Sequence, residues 1–92
     1  MNDQKGKIYL IRDTEQVTTN FKKREFVLLD DSNERYPKHI LMQFCNDKCG
    51  FLDSFNEGDH VLVNFSLNGR MVDKGQGEKF YNNIEATDIK KL

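Results

Sequence analysis

Ninety-two residues carry a net charge of −1, with 37% hydrophobic and 32% charged side chains. That length suits a single domain, residues 1–92, with an adequate core, and the charge excludes a uniformly basic nucleic-acid glue but not a local basic patch. No apolar run reaches the ~20 residues of a membrane span and no apolar segment follows Met1, so a cytoplasmic protein with no membrane partner is expected.

A single alanine, Ala86, stands against twenty-four Val, Ile, Thr, Phe and Tyr residues, which favours strands over helices. Nine Asn, nine Asp and six Gly supply turns for many short strands. The first predicted strand is Lys7–Arg12, β-branched and aromatic between Gly6 and Asp13. Asp13 to Asn20 is polar and reads as a loop. Arg24–Asp30 forms a second strand, and Asp31-Ser32-Asn33-Glu34 turns the chain back. Pro37 holds Tyr36 extended at the entry to a third strand, His39–Phe44.

The period then changes. Asn46 is a good N-cap, Asp47 suits a first helical turn, and Phe51, Leu52 and Phe55 would share one helical face. Gly50 costs such a helix about 1 kcal/mol, which keeps it short. After Asn56-Glu57-Gly58-Asp59, the run His60–Leu67 alternates, sending Val61, Val63, Phe65 and Leu67 to one side. Asn68-Gly69 has the chemistry of a tight turn, yet Asp73–Glu78 is the better loop. A fifth strand follows from Lys79 to Ile89 with Ile84 and Ala86 inward.

Three strands, a short helix and two strands is the order of an OB-fold, an all-β, five-stranded Greek-key barrel with its helix between strands three and four. An SH3-like barrel or a split α+β sheet would satisfy the same pattern. The expected barrel filling is Ile8, Phe26, Ile40, Met42, Val61, Val63, Phe65, Ile84 and Ala86.

Phe44-Cys45-Asn46-Asp47-Lys48, Asn56-Glu57-Gly58-Asp59, Val61–Phe65 and Tyr81–Ile89 occur in an order that resembles the bacterial single-stranded-DNA-binding protein family. Gly6-Lys7-Ile8 and Phe21–Leu28 look closer still to a group of short, uncharacterised bacterial domains related to it. The resemblance implies an OB-fold that binds single-stranded nucleic acid, DNA before RNA, with modest affinity and little sequence preference. Those relatives often carry tryptophan where this chain has Phe21, Cys45, Val72, Phe80 and Thr87, and this chain has none. Each absent stacking platform removes ~1–3 kcal/mol of base contact.

An OB-fold binds through the outer face of its second and third strands and the two loops beside them. With Ile40, Met42 and Phe44 inward, Leu41 and Gln43 face that surface, and Lys38 opens the same strand. Phe21, Lys22, Lys23 and Arg24 place three cations beside a ring in the first loop region. Arg70, Lys74 and Lys79 flank the fourth–fifth loop, with Tyr81 just inside the strand. Rings to stack on and cations to follow phosphates are the two ingredients of single-strand binding. Asp53, Glu57 and Asp59 are expected to gather away from these loops. The competing reading is a protein-interaction domain whose rather apolar outer face docks a partner or a second copy, with the lysines merely solvated.

Catalysis finds no motif: neither G-x-S-x-G, H-E-x-x-H nor a P-loop occurs. Cys45 and His39 lie six residues apart on one strand, ~20 Å, too far to pair as nucleophile and base. Cys45 and Cys49 are spaced C-x3-C without a second ligand pair, so two reduced thiols, no metal and no cofactor are expected.

Overall fold

The computed structural model describes residues 2–92. The β-branched and aromatic runs form six strands: β1 Asn2–Ile11, β2 Glu15–Thr18, β3 Phe21–Asp30, β4 Lys38–Cys45, β5 His60–Asp73 and β6 Glu78–Lys91. A 3-10 helix, Asn46–Ser54, joins β4 to β5. The strands make one sheet in the order β1-β5-β6-β4-β3-β2, which closes on itself where β1 also pairs with β3. Neighbours run antiparallel except at the β4–β6 seam, a single parallel contact between Gln43 and Glu85. With β2 set aside as an appendage of β3, this is the five-stranded OB-fold barrel with its helix between the third and fourth barrel strands.

β1 closes the barrel by changing partners. Asn2 to Lys7 pair with β5, and Lys7 to Ile11 pair with β3, with a bulge between Ile8 and Leu10. At the crossing, the turn before β5 completes the backbone bonding of Ile8. Ile8 N donates to Asp59 O at 2.9 Å, and Gly58 N donates to Ile8 O at 2.7 Å. Gly6 lies where β1 passes over β3: a Cβ there would sit 2.6 Å from Leu29 O and 2.9 Å from Leu28 Cγ. Gly6→Ala must therefore push β1 off β3, and the expected cost is ~1–3 kcal/mol, read as a lowered urea midpoint with an unchanged m value. An unshifted midpoint would show that the crossing has slack.

Ile8, Phe26, Leu28, Met42, Phe44, Leu52, Val61, Val63, Ala86 and Ile89 form the buried core, with Ile40, Phe65 and Ile84 packed against it. Phe26 and Phe44 stack with centroids 5.5 Å apart. All nine expected interior residues thus belong to one core or its margin.

Several expectations are corrected. The polar loop from Asp13 to Asn20 contains β2, every residue of which is exposed, so no apolar alternation announced it. Leu67, expected on the same side as Val61, Val63 and Phe65, is 70% exposed, because the β5–β6 ribbon there runs beyond the barrel. The helix is 3-10 rather than α, and its buried residues are Cys49 and Leu52, three apart as 3-10 geometry requires. Asn46 is not its N-cap. It adopts a left-handed φ of 53° and accepts a hydrogen bond from Lys22 N at Oδ1, tying the helix start to β3. Phe51 stays 40% exposed with its ring edge against Phe44, and Phe55 follows the helix. Asn68-Gly69 is strand, and the turn falls at residues 74–77, where Gly75 and Gly77 supply positive φ.

Candidate nucleic-acid interface

Period-two geometry sorts the β3 and β4 side chains. Phe26 lies opposite Met42 on the inner face, whereas Lys23, Glu25 and Val27 lie opposite Cys45, Gln43 and Leu41 on the outer face. Beyond the Gln43–Glu85 contact the β5–β6 arm parts from β4, and a groove opens between them. Val17 and Phe21 stand at one end of it, Lys23, Leu41 and Gln43 on its floor, and Arg70 and Tyr81 on the arm. A second, adjoining depression on the arm is lined by Arg70, Val72, Lys74, Lys79 and Tyr81. Arg70 and Tyr81 border both, so the two make one path.

The path is rich in cations. Lys74, Lys79 and Arg70 line the arm depression with no carboxylate among its lining residues. Glu25, the carboxylate lining the groove, is engaged by Arg12 at 3.3 Å and Lys23 at 4.0 Å. The Arg70 guanidinium lies 5.9 Å from the Tyr81 ring centroid, a cation–π contact that leaves the ring half exposed. Asn82 and Asn83 add amides to the groove wall.

The structure brings Phe21, Lys23, Leu41, Gln43, Arg70, Lys74, Lys79 and Tyr81 onto this path. It places three other candidates elsewhere. Arg24 lies opposite buried Phe44 and so points to the inner face, at the barrel end. There its guanidinium donates to Asp53 Oδ1 at 2.7 Å, Arg12 O at 2.8 Å and Cys49 O at 3.4 Å. It fastens the helix and is not free for phosphate. Lys22 is exposed but off the groove lining, its backbone bonded to Asn46. Lys38 pairs with Asp30 at the opposite end of β4, ~23 Å along the strand from Cys45. The bonds from Ser32, with smaller help from Gln4 and the Lys38 charge, hold the Asp30 carboxyl below its ordinary range.

The acids also differ from expectation. Asp53 is no bystander, since it pairs with Arg24. Glu57 accepts from Ile11 N at 2.9 Å, and Asp59 lies 3.8 Å from Lys91. Val17, Asn82 and Asn83 line the path without having been singled out as binding residues from the sequence; Val17 was hidden in the segment read as loop.

Cys45 faces outward beside Gln43, whose Nε2 donates to Sγ at 3.5 Å. Burial, then the nearby Glu85 charge, push its thiol up, so it stays protonated and unreactive near neutral pH. Cys49 is buried, its Sγ 3.5 Å from Phe44 O. Among the described residues no group of three His, Cys, Asp or Glu side chains is placed to hold a metal. None of their helices is long and apolar enough to cross a membrane.

Solved structures with this fold cover nearly the whole chain. The mitochondrial single-stranded DNA binding protein Rim1 of S. cerevisiae is similar with a TM-score of 0.73 and 16% identity, over 99% of this chain and 92% of that one. A second structure of Rim1 gives 0.71 and 13% over the same shares. The N-terminal domain of PriB from Thermoanaerobacter tencongensis, described as dimeric, gives 0.66 and 16%, over 99% and 93%. No curated protein matches the sequence. A family model matches residues 3–90, and the chain therefore belongs to the family described as "Domain of unknown function (DUF3127)".

Proposed function

We propose that this OB-fold protein binds single-stranded nucleic acid, DNA before RNA, along the path from Phe21 to Lys74. The observation that carries the reading is the joining of two chemistries on one surface. Phe21, Leu41 and Tyr81 offer apolar faces to bases, and Lys23, Arg70, Lys74 and Lys79 offer charge to phosphates. The fold shared with Rim1, a mitochondrial single-stranded DNA binding protein, supports it. Ring stacking accepts any base, so little sequence preference is expected, and two rings in place of several tryptophans make the affinity modest.

The test is a titration of labelled single-stranded oligonucleotides at about 50 and 200 mM salt. Binding with a Kd in the range of ~1–100 μM at the lower salt, weakened at the higher, is the expected result. No binding at low salt would end this reading. It would leave the alternative that the exposure of Val17 and Leu41, 47% and 49%, favours: a protein surface docking on the outer face of β3 and β4.

A further inference from the structure

We propose that the groove favours bases with an exocyclic amino group, cytosine and adenine, over those with a keto oxygen in its place, thymine and uracil. The inference rests on the nucleic-acid reading above and concerns the polar side chains beside its stacking ring. Residues directly opposite in an antiparallel pair share a face. The face of β6 that carries Tyr81 also carries Asn83 and Glu85, and β5 sets Arg70 opposite Tyr81 and Asn68 opposite Asn83. Asn68 therefore stands one step along the ribbon, ~7 Å, from the pair that bears the ring. Gln43 lies opposite Glu85 across the β4–β6 seam.

The seam turns these two amides the same way. Asn68 Nδ2 donates to Glu85 Oε2, and Gln43 Nε2 donates to Cys45 Sγ at 3.5 Å. Burial and the Glu85 carboxylate keep the Cys45 thiol protonated, and its proton goes to that carboxylate. One carboxylate thus ends a chain that reaches it from both strands. A carboxylate only accepts, so Asn68 must present its nitrogen to it. The sulfur, its proton committed to Glu85, is left as the acceptor for the Gln43 nitrogen. Gln43 and Asn68 line the groove, whereas Cys45 and Glu85 do not. With each amide nitrogen held on the seam side, the branch left for the groove is the carbonyl oxygen.

Acceptors on the protein select donors on the base. Cytosine N4 and adenine N6 carry protons, while thymine and uracil set O4 at the equivalent place. An amino base stacked on Tyr81 donates to the oxygen of Asn68 or Gln43. A keto base there brings two oxygens together with no proton between them and leaves both unpaired. Thymine and uracil keep one proton, at N3, but it lies between two keto oxygens that meet the same amide oxygen. The ring itself accepts every base, so affinity still comes from stacking and charge, and the amides lay a modest preference over it.

Labelled oligodeoxycytidine and oligodeoxyuridine of about 12 nucleotides test this by anisotropy titration of the full chain at neutral pH and about 50 mM salt, since the two rings are alike in size and differ in amino against keto. The wild type is expected to bind the cytidine strand about three- to tenfold more tightly, the worth of about one net hydrogen bond. Glu85→Gln offers a donor as well as an acceptor and no longer dictates which way Asn68 turns. Its preference should fall to within about twofold, with no loss of affinity for the uridine strand. Asn68→Ala removes the oxygen itself and should do the same with unchanged circular dichroism, because Asn68 is exposed on the arm. If Glu85→Gln fails to fold, Asn68→Ala decides. Equal affinities for the two strands, a preference for uridine, or a cytidine preference that survives both substitutions overturns the proposal. Equal affinities would leave the nucleic-acid reading standing, whereas failure to bind either strand would remove that reading and this one together.

Discussion

Replacing Lys23, Arg70, Lys74 and Lys79 together by alanine is expected to flatten the slope of log K against log salt by about 2.8. Each phosphate neutralised on a single strand contributes about −0.7 to that slope, because its condensed counterion is released on binding. Between about 50 and 200 mM salt, four such contacts account for roughly a fiftyfold loss of affinity in the wild type, and the variant should lose that sensitivity. These four line the path, which is why they are grouped. Arg24→Ala is the internal control. Its guanidinium is committed to Asp53 and two backbone carbonyls, so its loss should lower the melting temperature and leave the slope unchanged. A slope indifferent to the four substitutions, or a slope set by Arg24, would show that phosphates do not follow this path.

The sequence made the barrel legible wherever one face of a strand is buried. Phe26, Leu28, Met42, Phe44, Val61 and Val63 alternate with polar or half-buried neighbours, and all six are fully or almost fully buried. Alternation fails where nothing is buried. β2 is exposed throughout, and the first residues of β1, Asn2 and Asp3, are paired to β5 but polar, so their strand character comes from the neighbouring backbone alone. Leu67 shows a different failure. Its phase matches Val61 and Val63, but the barrel ends before it.

The same rule could have placed Arg24. If Phe26 and Leu28 point inward, period two sends Arg24 inward as well and leaves Lys23 outside, so three adjacent cations could never share one job. Lys38 fails on distance, since it begins the strand whose far end carries Gln43 and Cys45. What no local pattern could supply is the meeting of the arm with β3 and β4. Phe21 and Tyr81 are sixty residues apart in the chain and come to one groove only because the β4–β6 seam opens after a single contact.

That meeting fixes the second large effect. Phe21→Ala and Tyr81→Ala are each expected to cost ~1–3 kcal/mol of oligonucleotide binding, about five- to 150-fold in Kd, while the salt slope stays close to that of the wild type. Stacking a base on a ring releases no counterion, whereas neutralising a phosphate does, so the two sets of variants move different observables. Tyr81 carries an extra duty, because its ring also holds Arg70 at 5.9 Å. Tyr81→Phe keeps both the stacking face and the cation–π contact and should bind nearly as the wild type does. Tyr81→Ala removes both, so it should be the costlier of the two alanine changes, yet Arg70 remains charged and the slope remains. The measurement is anisotropy titration of one oligonucleotide at several salt concentrations for all three variants. If Phe21→Ala and Tyr81→Ala bind as tightly as the wild type while the cation variant does not, then bases do not enter the groove, and the contact is with the phosphate backbone alone.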